Sequence, residues 1–107
     1  MASAGVGDLK NMNLDQIAYA AAGAIEHHLG WTCDPICGLV QMPCIERNAV
    51  AALRALNEVT LASFLADTRK ITFDTAVSTM YETGKDLGRG YRETAAGGLA
   101  KIYGKKD

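Results

Sequence analysis

Residues 43–67, PCIERNAVAALRALNEVTLASFLAD, read as one long helix that begins near Cys44 and runs to about Asp67. Ile45, Val50, Leu53, Leu56, Val59, Leu61, Phe64 and Leu65 recur at intervals of three and four residues and make a wide apolar face. Pro43 suits the first turn, where its missing N–H leaves no helical bond unmade. Upstream, from Trp31 to Pro43, the periodicity stops. Asp34-Pro35 and Met42-Pro43 disfavour helix at Asp34 and Met42, and Gly38 loosens the chain between them. The segment is a structured loop, with room for a short extended piece at Leu39-Val40-Gln41.

Before the loop, Leu14, Ile17, Ala18, Ala21, Ala24, Ile25 and Leu29 recur at helical spacing. Asn13 and Gln16 form a capping-box pattern at the start, and Gly30 fits the position just past the end. After the long helix, Asp67-Thr68-Arg69-Lys70 is a turn. Thr72 caps a helix over Phe73 to Thr83, with Asp74 placed for the dipole and Gly84 as its stop. A weaker helix is expected from Lys85 to about Ala95, despite Gly88 and Gly90. Gly97-Gly98 breaks it, and Leu99 to Tyr103 reads as a short strand or an extended tail. The fold expected is all-α: about four helices, with a structured cysteine-containing loop between the first two. It is a helical fragment of a larger all-α domain. Met1 to Asp8 reads like the interior of a small-residue helix.

The chain has 107 residues, 49% apolar and 21% charged, and a net charge of −1. That balance gives no reason to expect nucleic acid or an anionic membrane as partner. Lys101, Lys105 and Lys106 form a short basic end, which reads as solvated. No apolar run approaches the ~20 residues of a membrane span. Three cysteines without an export signal argue against a disulfide framework and for a reducing, cytoplasmic setting.

The chemistry concentrates in the loop. Cys33 and Cys44 each neighbour a proline, near a predicted helix end. A thiolate that grips a metal needs a fixed direction and nearby N–H groups to accommodate its charge; a buried structural cysteine needs neither. The spacing of Cys33, Cys37 and Cys44 matches neither a zinc C-x-x-C pair nor a ferredoxin run, so spacing alone leaves small buried hydrophobes as an equal reading. His27 and His28 end the first helix, where a cationic ring is favoured electrostatically; an acid–base role is the sharper reading. Glu46, Arg47 and Asn48 open the long helix. They are either surface residues or a site for an anionic substrate, since free N–H groups and a guanidinium both attract a carboxylate. In Tyr91 to Ala100, Gly97-Gly98 allows close approach of another backbone, or simply stops a helix.

Five blocks in order carry a family resemblance: Glu26-His27-His28-Leu29-Gly30; Thr32-Cys33-Asp34-Pro35; Gln41-Met42-Pro43-Cys44-Ile45-Glu46-Arg47-Asn48-Ala49; Glu82-Thr83-Gly84-Lys85-Asp86; and Tyr91-Arg92-Glu93-Thr94 with Gly97-Gly98-Leu99-Ala100. Together, from about Leu14 to Tyr103, they resemble the C-terminal part of the iron–sulfur-dependent L-serine dehydratases. The resemblance implies that residues 1–107 are the C-terminal portion of that catalytic domain, either excised or the tail of a split subunit, whose upstream part is the missing partner. It implies a cytoplasmic homo-oligomer acting in amino-acid degradation and gluconeogenesis, with L-serine as substrate and pyruvate and ammonia as products. It implies a [4Fe–4S] cluster held by three cysteines, with one iron open as a Lewis acid, and absent from the isolated chain. Cys33 and Cys44 correspond to two of the ligands. The third lies upstream in a Gly-rich motif, and Cys37 is a spare thiol rather than a ligand. Arg47 and Asn48 are the substrate-binding candidates; no residue here is named as the base.

Three other readings stand beside it. One is a related lyase acting on other β-substituted amino acids. Another is a small helical protein holding zinc through Cys33, Cys37, Cys44 and a histidine. The last is a metal-free helical assembly module whose apolar faces await a partner.

Overall fold

A computed structural model describes residues 1–104. It is helical, with no strand among the described residues. The helices are α1 (Ala2–Leu9), α2 (Leu14–Glu26), α3 (Cys44–Leu65), α4 (Phe73–Asp86) and the short α5 (Gly98–Tyr103). Single 3-10 turns cover Ile36–Gly38, Ala66–Thr68 and Arg89–Tyr91. The small-residue start forms a helix of its own, so the cysteine loop joins the second helix to the third.

Local signals placed most of the borders. Gln16 N–H donates to Asn13 Oδ1 (2.9 Å) and Asn13 N–H to Gln16 Oε1 (3.1 Å), closing the capping box that starts α2. Thr75 N–H donates to Thr72 Oγ1 at the start of α4. Long-range contacts overrode the rest. α2 stops at Glu26, four residues before Gly30, which still takes the left-handed conformation (φ +73°). Leu39 is extended, but Val40 and Gln41 form a turn rather than continuing an extended piece. α4 runs through Gly84 to Asp86. The helix expected over Lys85 to Ala95 is replaced by a 3-10 turn and bends. There Arg92 folds back, its Nε–H donating to Leu87 O (2.7 Å) and Nη2 to Lys85 O (2.8 Å), so a side chain satisfies carbonyls at the end of α4. Leu99 to Tyr103 is helical, not strand or extended. Lys101 lies in α5; Lys105 and Lys106 lie outside the described residues.

α2 is the hub of the packing, touching α1, α3 and α4, while α1 also rests on α3. The shared centre is Ala20, Val59 and Ala62, flanked by Val6, Met12 and Tyr19. Six of the seven buried hydrophobic residues are alanines. Small side chains let the helix backbones come close, but they bury little apolar area each. The result is a slab of 52 × 25 × 16 Å. By length and composition alone, Cys44–Thr68 is also long and apolar enough to cross a membrane, contrary to the sequence expectation. Its inner side, however, carries the buried carboxylate of Glu58 and is packed against α1 and α2.

Candidate functional site

The site is organised by Asp34, which is 3% exposed. Its Oδ1 accepts from Arg47 Nη1, and its Oδ2 accepts from the Leu99 N–H at 2.7 Å. Arg47 Nη1 donates a second bond, to the Thr32 carbonyl oxygen at 2.8 Å. Both protons of that nitrogen are thus spent on the two residues flanking Cys33. Arg47 sits one helical turn after Cys44, so this clasp draws the loop thiol toward the thiol at the start of α3. The Cys33 N–H donates to Tyr91 O at 3.0 Å, which ties the same point to the C-terminal segment.

The two glycines of that segment fit the clasp. Gly98 has φ +56°, and a Cβ there would overlap Oδ2 of Asp34. A Cβ on Gly97 would overlap the Gly90 carbonyl. Gly97-Gly98 therefore serves close backbone approach, and it starts a helix rather than ending one.

The electrostatics follow from this geometry. Burial works to raise the Asp34 carboxyl, but the Leu99 N–H and the Arg47 guanidinium outweigh it and hold the group below the ordinary carboxylate value. Burial pushes the Cys33 thiol up, helped by the charges of Glu93 and Cys44 and opposed by Arg47. Cys33 and Cys44 are both half-buried, and Cys44 is near enough to contribute to the rise at Cys33. Cys37 is exposed, with φ +56° in the loop's 3-10 turn. Among the described residues, no group of three or more His, Cys, Asp or Glu converges as a metal cage.

Arg47 lines an open cleft of about 420 Å³ with Gly30, Trp31 and Thr32. Asn48 donates its amide to Cys44 O (2.9 Å) on its own helix and is exposed. The histidines part company. His28 bonds through Nδ1 to Ala24 O and lies 4.6 Å from the Trp31 ring, at the cysteine-loop end. His27 pairs through Nδ1 with Glu58, which is 1% exposed. Glu58 lies fourteen residues, about 21 Å of helix rise, beyond Cys44, so His27 belongs to a different place.

In the sequence Asp34, a pre-proline residue, and Glu93 stand inside the resemblance blocks with no role assigned to either, and Glu58 carries no signal of its own. The Asp-Pro step was the one visible sign, because a loop aspartate beside a proline often anchors a turn. Its partner 65 residues away left no trace in the local pattern.

The serine dehydratase alpha chain family model matches residues 1–100. The chain is 49% identical over 100 residues to L-serine dehydratase 2 of Escherichia coli (strain K12). It is also 49% identical over 100 residues to the L-serine dehydratase of Haemophilus influenzae. The L-serine dehydratase of Helicobacter pylori (strain 26695) is 46% identical over 101 residues. Each match covers 94% of this chain and 22% of the relative, so the chain spans about a fifth of the length of the relatives it matches. With a match over nearly all of its length, the chain belongs to the serine dehydratase alpha chain family.

Proposed function

We propose that this chain is the C-terminal part of the catalytic domain of a [4Fe–4S]-dependent L-serine dehydratase, which converts L-serine to pyruvate and ammonia by β-elimination. The observation that carries the reading is the Asp34–Arg47 clasp, which gathers Cys33 and Cys44 into one electrostatic neighbourhood. The donor chemistry fits two corners of a cluster: two half-buried thiols with a guanidinium beside them to offset thiolate charge. The remaining thiolate comes from the upstream part of the polypeptide. When bound, the cluster would supply Lewis acidity for departure of the substrate hydroxyl.

The other residues follow from what is left unpaired. Arg47 uses only Nη1 in the clasp, and its Nε–Nη2 edge has no protein partner among the described residues. That edge has the fork geometry that binds a carboxylate with two bonds. Arg47 borders the open cleft by Trp31, so we assign its unpaired edge to the substrate carboxylate. Asn48, one residue on, keeps its amide oxygen for the amino group. Asp34 is a positioning residue: it fixes Arg47 and the cysteine loop and touches no substrate.

The zinc alternative has less support. Cys37 is exposed and turned into the loop's 3-10 turn, which leaves the three cysteines without a common centre among the described residues.

The test is anaerobic reconstitution of the chain assembled with the upstream part of the alpha polypeptide. The assembly is expected to turn brown, bind iron and release pyruvate from L-serine. Cys33→Ser and Cys44→Ser should each lose iron, while Cys37→Ser should keep it. A colourless, zinc-loaded assembly, or full iron content in Cys33→Ser, would overturn the reading. Parallel assays with L-threonine and L-cysteine separate a serine enzyme from a lyase of wider range.

A further inference from the structure

We infer that the outer face of α3 is the docking surface for the upstream part of the serine dehydratase alpha polypeptide. The inference rests on the function proposed above and adds the surface through which the two parts join.

α3 turns its small residues inward and its large ones outward. Ala55, Val59 and Ala62 are buried against the other helices, while Val50, Leu53, Leu56 and Phe64 lie on the exposed side. Leu53 is 68% exposed and Phe64 79%. Arg54 and Glu58 are the only charged residues between Asn48 and Leu65; Arg54 is half-buried and Glu58 buried. The outer stripe from Ala49 to Phe64 is therefore free of charge over about 23 Å of helix. Its exposed polar residues, Asn57, Thr60 and Ser63, are small and uncharged, and a helix with apolar residues on both sides is built for an interior. An exposed stripe of this kind marks an interaction surface.

The shape agrees. The radius of gyration is 16.2 Å, against the ~13 Å expected of a self-contained globule of this length. The thinnest dimension, 16 Å, is little more than one helix diameter.

Three observations choose the occupant. The chain spans 22% of its relatives, so most of the family's polypeptide is available to cover the slab. The stripe starts just past Cys44, so whatever covers it lies at the same end of α3 as the cysteines that the function proposed above completes from the upstream part. A second copy of this chain would cover the stripe but would bring only another pair of the same thiols. A bilayer does not fit either, because α1 and α2 seal the opposite side of α3.

The experiment uses the full chain, the upstream part of the alpha polypeptide of Escherichia coli L-serine dehydratase 2, and sedimentation to read complex mass without metal. The wild-type chain should form a one-to-one complex. Leu53→Glu and Phe64→Glu, at positions too exposed to disturb the fold, should each weaken it at least tenfold, with helix content by circular dichroism unchanged. The Cys33→Ser/Cys44→Ser double variant should dock like wild type while binding no iron. Equal docking by wild type and both glutamate variants would overturn the surface while leaving the lyase reading intact. Self-association through the stripe with no hetero-complex, or co-flotation of the chain with phosphatidylcholine vesicles, would overturn the occupant. A complex that forms through the stripe but takes up no iron would overturn the lyase reading and leave the surface standing.

Discussion

Among the described residues two carboxylates are buried, Asp34 and Glu58, and they are treated in opposite ways. Asp34 has both oxygens satisfied, by a guanidinium and by a backbone N–H from the far end of the chain. Glu58 has one oxygen paired with His27 and the other, Oε2, buried without a partner and pressed toward Gly23. The partners differ as well. Removing Asp34 would strand Arg47 and the Leu99 N–H in part-buried positions. Removing Glu58 would release a histidine whose side chain is already 42% exposed and free to rehydrate. A buried charge organises a structure when its loss orphans other groups, and is dispensable when its partner can return to water.

The comparison can be broken at its stronger end first. Asp34→Ala is expected to cost about 3 kcal/mol, because it leaves a part-buried guanidinium and a part-buried N–H each short of a partner. Urea unfolding followed by circular dichroism measures it, and a loss below about 1 kcal/mol would put Asp34 on a level with Glu58. Gly23→Ala comes next, at about 1–3 kcal/mol, since the added methyl would collide with Glu58 Oε2. In a Glu58→Ala background the same change should cost under about 0.5 kcal/mol, and a double-mutant cycle reads the difference. Equal costs in both backgrounds would show that the tightness at Gly23 has another source. The smallest effect is Glu58→Met, expected within about 1 kcal/mol of wild type, because an apolar side chain of similar volume replaces an incompletely satisfied charge. A large loss there would mean that the His27 pair matters as much as the Asp34 clasp.

What could be read in the sequence was what is local. Asn13, Gln16 and Thr72 act within their own first turns, so they fixed the starts of α2 and α4 before any packing was known. The long apolar period from Cys44 gave α3 to within two residues of its end. The family resemblance brought Cys33 and Cys44 forward as a pair; the bonds from Arg47 to Thr32 and Asp34, on either side of Cys33, come from the fold alone. The mistaken segments were governed from a distance. Arg92 reaches back seven residues to close α4, and this displaced the helix expected from Lys85. Gly98 adopts a left-handed turn because Asp34, remote in sequence, occupies the space of its missing side chain. The buried position of Glu58 was equally hidden, since a glutamate in a helix ordinarily faces water.

The bond from Leu99 to Asp34 joins residues 65 positions apart. A ribosome must therefore have delivered almost the whole of this stretch before the loop bearing Cys33 can be clasped. Until then Asp34 has no amide for its second oxygen, and closing so long a loop is the slow kind of contact to form. The shape of this corner is thereby tied to completed synthesis: a truncated chain lacking residues 97–99 would carry both thiols and still lack the latch that sets the loop.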